Sequence, residues 1–172
     1  PDFVEVRTRL TGQDYRALRF DHVIIAAHSN QALSMLADPS PTEKDILGAI
    51  PYQENEAVLH TDASLLPRRK LAWAAWNYHL LPSQPDRAVV TYHMNRLQRL
   101  SAPHEFCVTL NHTRAINPAK ILRRITYHHP VYSPEAVAAQ QRHGEISGAN
   151  RTSYCGAYWG FGFHEDGVKS AL

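Results

Sequence analysis

The sequence predicts an α+β fold in which a strand-rich, mainly antiparallel domain interrupts a flanking α/β domain. The first observation is the apolar run Val23-Ile24-Ile25-Ala26-Ala27, whose lack of alternation is typical of a strand covered on both faces in a parallel sheet. The second is the stretch from 49 to about 125, where strand-like runs are separated by polar, Pro-containing turns. The third is a glycine-rich tail, since five of the eight glycines fall within the last 25 residues.

Two short strands are predicted before the apolar run. Residues 3–10 begin with alternating apolar and charged side chains, and residues 15–20 form a second run. Gly12-Gln13-Asp14 between them predicts a turn.

Three helices are predicted from their start and stop signals. The first covers residues 30–36, with Ser29 as its N-cap. Ser40-Pro41-Thr42-Glu43 starts the second: the serine caps, the proline takes the first helical position and the glutamate completes a capping box. Gly48 ends this helix. The third begins at Ser133-Pro134-Glu135 and is predicted to end at Gly144.

Five strands are predicted between the second and third helices. Short connections favour antiparallel pairing, because parallel strands need long crossovers. On one of these strands, core packing is the favoured role of Trp73 and Trp76, and the alternative is a substrate pocket lined by Trp76 and Tyr78. Asn77 and His79 are polar neighbours that could face such a pocket. The five predicted strands are residues 56–60, 71–79, 88–93, 105–110 and 121–127.

Composition and charge exclude several functions. The formal net charge is +2, and the basic residues are scattered apart from Arg68-Arg69-Lys70, so nucleic-acid binding is not expected. No apolar run is long enough to span a bilayer, although peripheral membrane contact stays open. Cys107 and Cys155 show no CxxC spacing and are expected to be reduced, buried thiols of a cytoplasmic protein.

Eleven histidines raise the question of a metal site. None lies in an HExxH motif, and His128 and His129 would point to opposite faces of a strand. His60, His79 and His93 would converge only through the tertiary fold. No metal is therefore predicted, and a metal-dependent hydrolase remains a minor alternative.

The segment 154–167 carries the strongest functional signal. It consists of a short apolar strand, a glycine-rich loop and an acidic helix start. Glycines allow the backbone to approach a ligand closely. A helix start near 164–167 would present free N–H groups and the positive end of the helix dipole, which favour a negative charge or a polarised carbonyl. The alternative, given equal weight on these grounds, is a tight turn whose glycines serve packing.

This tail resembles the C-terminal flavin-contacting motif of the amine-oxidase family, which includes monoamine and polyamine oxidases, protoporphyrinogen oxidase and phytoene desaturase. More narrowly, it is similar to a bacterial subgroup of NAD/FAD-binding proteins related to amine oxidases. The matching blocks lie along nearly the whole chain, and the tail is the most specific of them. They are residues 20–28, 59–62, 66–69, 72–78 and 154–172.

The resemblance implies a division into three pieces. Residues 1–29 and 149–172 would be strands and the C-terminal return of a Rossmann-like FAD-binding domain, and residues 30–148 a substrate-binding-type domain. The last helix would point at the pyrimidine end of the isoalloxazine. The implied cofactor-binding residues are Gly156, Ala157, Gly160, Phe161, Gly162, His164, Glu165 and Asp166.

Two departures from the family pattern matter. Many relatives carry an acidic residue where this chain has Ala157, so one cofactor contact is lost or supplied by a neighbour. No GxGxxG occurs anywhere in the sequence. The pyrophosphate-binding turn and the acidic residue that holds the ribose are therefore expected in an N-terminal segment of the same protein, and the start at Pro1 favours a fragment or processed product.

The resemblance implies a parent enzyme that transfers hydride equivalents from a small-molecule substrate to FAD. The substrate would be an amine, a lipid or an isoprenoid, and no catalytic residue is assigned. The isolated chain is expected to be inactive. The alternative is a non-enzymatic binding or scaffold module on a degenerate flavoprotein fold, which the alanine at position 157 favours.

Overall fold

A computed structural model describes residues 2–9, 14–82 and 87–172. The chain divides into two compact units. The flanking unit comprises the described residues up to Tyr52 together with Pro130–Leu172, and the central unit comprises Gln53–His129. Residues 30–52 and 130–148 therefore pack with the terminal pieces, whereas the sequence placed the domain boundaries near 29 and 149. The assignment of the terminal pieces to an FAD-binding domain stays a prediction.

The flanking unit begins with a β-hairpin. Strand β1, Val4–Thr8, pairs antiparallel with β2, Arg16–Phe20, and places Val4 opposite Phe20. Both predicted strands are confirmed. The predicted turn between them lies almost wholly outside the described residues, which resume at Asp14.

The apolar run forms a strand of a parallel pair. Strand β3, Val23–Ile25, pairs parallel with β9, Thr152–Tyr154, as its sequence predicted. Coverage of both faces was predicted wrongly for the described residues, since the Ile24 side chain is 64% exposed. The neighbouring Ile25, which points to the opposite face, packs against the core of this unit, so the described elements cover one face of the strand.

The helices of the flanking unit follow their capping signals in part. They are α1, Ser29–Met35, α2, Pro41–Gly48, and α4, Pro134–Gln140. The capping box of α2 is confirmed, with the Ser40 backbone N–H donating to the Glu43 carboxylate at 2.8 Å. The N-cap of α1 is His28 rather than the predicted serine, because the His28 backbone N–H donates to the Gln31 side chain at 3.2 Å.

The third predicted helix is broken. Helix α4 ends at Gln140, and a separate turn α5, His143–Ile146, follows. Gly144 lies inside α5 instead of ending the helix. The left-handed conformation that a glycine C-cap supplies is found at Gly148, where φ is 86°.

The core of the flanking unit joins these helices to β9. Tyr154 is fully buried, and its hydroxyl donates to the Glu43 carboxylate at 2.6 Å. Burial alone would raise the pKa of Glu43, but hydrogen bonds from Tyr154 and Ser40 outweigh it and hold the pKa below its usual value. The buried members of this core are Ala32, Ile46, Leu47, Ile50, Ala136, Ala139, Ile146, Tyr154 and Tyr158.

The central unit is built on a five-stranded, mainly antiparallel sheet, which confirms the predicted fold class. The strand order is β5-β6-β7-β4-β8. The pairs β5·β6, β6·β7 and β7·β4 are all antiparallel. The strands are β4, Tyr52–His60, β5, Trp76–Tyr78, β6, Val90–His93, β7, Cys107–Leu110, and β8, Ile121–Pro130, with a short helix α3, Met94–Leu97, after β6.

The predicted strand 71–79 is mostly wrong. Residues Lys70–Ala72 form a 3-10 turn, and β5 has only three residues. The Trp73 indole N–H donates to the carbonyl of Pro67 at 2.7 Å, which folds this segment back on itself. The Asn77 side chain donates to the Ala74 carbonyl and accepts from its N–H, so a tight loop replaces the first half of the strand.

We expect Tyr154→Phe to destabilise the protein by about 1–3 kcal/mol, because the buried Glu43 carboxylate loses one of its two hydroxyl donors, the other being Ser40. The folded-state pKa of Glu43 is depressed, so its contribution to stability is present above its unfolded pKa and lost as pH falls through the folded value. The difference between wild type and variant should therefore shrink in acid. Urea unfolding at several pH values measures both effects.

Tyr127→Phe is the matched control, since the Tyr127 side chain is exposed. Equal destabilisation by both substitutions would contradict the assignment.

Candidate functional site

The predicted cofactor-binding residues lie in one turn of the flanking unit, which we call the tail turn, residues 156–167. After β9 the chain forms a 3-10 turn, Ala157–Trp159, then an irregular loop, then a short helix α6, His164–Lys169. The predicted strand, glycine-rich loop and helix start are thus all present in this order.

The carboxylate of Asp166 closes the loop from inside. It accepts from the backbone N–H groups of Phe161 and Phe163, each at 3.0 Å. A Cβ on Gly160 would lie 2.6 Å from the Asp166 carboxyl carbon. Asp166 therefore acts as an internal support of the turn, and Gly160 is required because the aspartate side chain lies against it.

Two side chains outside the predicted set hold the turn in place. The Gln140 amide of α4 donates to the carbonyls of Tyr158 and Gly160, both at 2.8 Å. The Ser170 hydroxyl accepts from the Gly156 N–H at 2.9 Å. Nothing in the sequence pattern singles out Gln140, because its role depends on packing between segments about 20 residues apart.

Two further tail glycines, Gly156 and Gly162, also have packing reasons. Gly162 has a φ of 87°, and a Cβ there would lie 2.8 Å from the Tyr132 hydroxyl. A Cβ on Gly156 would lie 2.4 Å from the Tyr158 ring. The packing interpretation therefore accounts for these glycines, and their presence alone does not indicate a ligand.

Ala157 has a backbone role in the turn. Its carbonyl accepts from the N–H groups of Gly160 and Gly162, each at 3.1 Å. The short methyl side chain cannot replace the acidic residue of the family pattern, and the Asp166 carboxylate is already engaged by the loop.

The outer face of the turn is exposed and offers free donors. Phe161 is 80% exposed and Phe163 is 55% exposed. Within the described chain, no group accepts a hydrogen bond from the backbone N–H of His164 or Glu165. The Glu165 carboxylate lies 4.0 Å from the Lys169 ammonium. An apolar ring beside two unpaired N–H groups can contact a flat ligand and donate to an oxygen at its edge.

Trp76 and Tyr78 lie in the central unit on the edge strand β5. Their side chains are 55% and 60% exposed, so the favoured expectation of core packing for Trp76 is wrong. The Trp76 ring meets Tyr92 edge to face, with centroids 5.4 Å apart. Trp76 and Tyr78 lie two residues apart on one strand, so these aromatic groups share one face of the sheet.

The structure also bears on the histidine metal-site alternative and on the two cysteines. Among residues 2–9, 14–82 and 87–172, no group of three His, Cys, Asp or Glu side chains is placed to hold a metal ion. His93 Nε2 lies 2.7 Å from the Glu105 carboxylate. Both cysteines are free, but only Cys107 is buried, and burial raises the pKa of its thiol to about 11, while Cys155 is half-buried.

No helix within the described ranges has the length and apolar character needed to cross a membrane.

No family model matches the sequence, and no curated protein matches it. The solved structures that are similar in fold include the following two. One is a CLA-producing fatty acid isomerase from P. acnes, with a TM-score of 0.59 and 16% identity. The other is a protoporphyrinogen oxidase-like protein from Exiguobacterium sp. 255-15, with a TM-score of 0.57 and 14% identity. The chain shares their fold.

The comparison covers 96% of this chain and 43% of each neighbour, so the chain spans less than half the length of these structures. At this identity the likeness is one of fold alone. Protoporphyrinogen oxidase is also among the enzymes whose family the tail resembles.

We expect Gly160→Ala to destabilise the flanking unit by about 1–3 kcal/mol, since the added methyl overlaps the Asp166 carboxyl group. Gly144→Ala is the control, because its Cβ meets nothing within 4 Å and the position is helical. That change should be neutral or stabilise by about 0.5–1 kcal/mol. Chemical denaturation compares the two, and similar effects would show that the contact with Asp166 is unimportant.

Proposed function

We propose that this chain is the C-terminal part of an FAD-dependent oxidoreductase of the amine-oxidase type. The parent enzyme would transfer hydride equivalents from an amine, lipid or isoprenoid substrate to the flavin. The observation that carries the proposal is the exposed start of α6, which follows a strand of a parallel pair and has unpaired N–H groups at His164 and Glu165. The tail resemblance and the fold of the two neighbours support it.

The tail turn fits a flavin in two respects. The N–H groups of His164 and Glu165 would donate to a carbonyl oxygen of the ring system, where the helix start also favours negative charge. Phe161 would cover an apolar part of the ring. When bound, FAD would supply the hydride acceptor, and the chain's own contribution is to bind, orient and shield it.

The exposed aromatic face of the central sheet is proposed to bind the substrate. Trp76 and Tyr78, with Tyr92 beside Trp76, expose apolar rings that suit an apolar part of a small molecule. Nothing in this surface indicates a nucleic-acid partner, and a cytoplasmic enzyme remains the proposed setting.

The rest of the cofactor site is proposed to lie in an N-terminal segment of the same protein. The sequence lacks GxGxxG, and the chain spans 43% of its structural neighbours. A pyrophosphate bound at a helix N-terminus contributes much of dinucleotide binding, so this chain would hold only the ring end of the cofactor.

A non-enzymatic scaffold is the second candidate. Ala157 and the internal role of the tail glycines favour it, because a degenerate site would keep the packing of the turn without its ligand.

We expect the isolated 172-residue chain to purify without FAD, and the full-length parent to retain it, because the pyrophosphate site is missing here. The visible absorbance spectrum after gel filtration with added FAD measures this. Near-stoichiometric flavin on the isolated chain would place the site elsewhere than proposed.

In the full-length parent, we expect His164→Pro to weaken FAD binding by about 1 kcal/mol, roughly fivefold in Kd. Proline is accepted at the first position of a helix but has no N–H, so the donor is removed while α6 is kept. The preceding Phe163 is already extended, with ψ of 157°, as a residue before proline requires.

His164→Ala is the matched control, since it removes the imidazole and keeps the N–H. If the two variants bind FAD equally well, the helix start does not contact the cofactor. A flavin-free parent would instead favour the scaffold.

A further inference from the structure

A continuous line of hydrogen-bonded side chains crosses the buried face of the central sheet. His60 Nε2 lies 2.8 Å from Thr109 Oγ1, and Thr109 Oγ1 lies 2.9 Å from Thr91 Oγ1. Thr91 Oγ1 lies 2.8 Å from His79 Nε2. The two threonines face each other in the β6·β7 register, and His60 ends β4. The line therefore connects residues on four neighbouring segments of one unit.

Because the line is buried, each of its polar hydrogens needs an acceptor within the protein. His60, Thr91 and Thr109 are fully buried, whereas His79 is half-buried at the open end. A buried hydroxyl or imidazole hydrogen without an acceptor is costly. The arrangement of hydrogens that leaves none unpaired is therefore strongly favoured.

A backbone group fixes the closed end of the line. The Asp62 N–H donates to His60 Nδ1 at 3.1 Å, so this nitrogen must be an acceptor without a hydrogen. A neutral His60 then carries its hydrogen on Nε2, which donates to Thr109. A protonated His60 would place a second hydrogen opposite the Asp62 N–H.

The donor at His60 fixes the direction of every other hydrogen bond in the line, as far as His79. Because Thr109 accepts from His60, its own hydrogen donates to Thr91. Thr91 in turn donates its hydrogen to His79 Nε2. His79 must therefore carry its hydrogen on Nδ1, which no described residue bonds.

We propose that this line locks His79 in its neutral Nδ1–H form and presents that N–H as a fixed donor to an oxygen of a ligand. A carbonyl or carboxylate oxygen would be accepted there, whereas a ligand N–H would find no acceptor on the ring. His60, Thr91 and Thr109 are positioning residues, since they act through His79. The proposal stands independently of the flavin proposal.

The line orients His79 and does not conduct protons. Moving every hydrogen one place toward His79 would leave His60 as an anion in a fully buried position. Placing a hydrogen on His79 Nε2 from solvent would leave one threonine hydroxyl hydrogen without an acceptor, because His60 donates at the other end.

The surroundings of His60 and His79 favour the neutral form of both imidazoles. Burial, followed by the nearby His112 ring at 6.0 Å, lowers the pKa of His79. Burial lowers the pKa of His60 despite the opposing effect of Asp62, whose carboxylate is paired with Lys120. The neighbouring titratable pair is His93 with Glu105, and the thiol beside His60 in register is Cys107.

The test replaces His60, the residue that fixes the direction in which the threonine hydroxyls donate. In His60→Gln, the side-chain amide can turn its oxygen toward Thr109, so the line can reverse and accept a hydrogen from His79 Nε2. We expect the pKa of His79 to rise by about one pH unit, and its Nε2–H form to become populated. Nitrogen-15 NMR of the imidazoles in the 172-residue chain reads both quantities.

His93→Gln is the matched control, because His93 lies on the same strand as Thr91 but bonds Glu105 outside the line. It should leave His79 unchanged. An Nε2–H form of His79 in the wild type at neutral pH, or an equal change in His93→Gln, overturns the proposal. An unchanged His79 in His60→Gln would show that the amide N–H donates to Thr109 in place of the imidazole, which keeps the proposed direction. If His60→Gln does not fold, the tautomer of His79 in the wild-type chain is the test. An Nδ1–H tautomer of His79 at neutral pH supports the proposal, and an Nε2–H tautomer overturns it.

Discussion

The buried hydrogen bond between Tyr154 and Glu43 is the interaction on which the geometry of the flanking unit depends. It joins two residues 111 positions apart, one on the strand that leads into the tail turn and one in the first turn of α2. Glu43 also serves the capping box of its helix. A single carboxylate thus connects the start of α2 to β9, the strand that pairs with β3.

The tail turn depends in the same way on a carboxylate turned inward. Asp166 and Gln140 satisfy backbone groups of the loop, and the glycines leave room for side chains of the same unit. A valine at position 162 would be strained by the left-handed φ of Gly162, so loss of flavin from such a variant would reflect damage to the turn. Removal of a single N–H at the start of α6, as in His164→Pro, distinguishes loss of a cofactor contact from damage to the fold more clearly.

The sequence predicted elements whose signals are local. The Ser40 capping box and the parallel character of the Val23 strand depend on neighbouring residues and were predicted correctly. The strand over 71–79 failed because Trp73 and Asn77 bond backbone groups of the same segment, which apolar content does not reveal.

For the candidate site, the order of strand, loop and helix could be predicted, but its supports could not. Gln140 and Tyr132 reach the turn from other segments, and no spacing rule connects them to it. The line from His60 to His79 was likewise invisible, because threonines in strands ordinarily indicate only β propensity. Direction in that line comes from one backbone N–H, which a sequence does not single out.

The pairing of β3 with β9 has a consequence for handling the protein. Within the described residues each of these strands has a paired neighbour on one side, and the aliphatic Ile24 is exposed to solvent. Bare N–H and C=O groups along a strand recruit strands from other molecules. Concentrated solutions of the chain should therefore self-associate through this two-stranded sheet, and a charged residue in place of Ile24 would be the natural remedy.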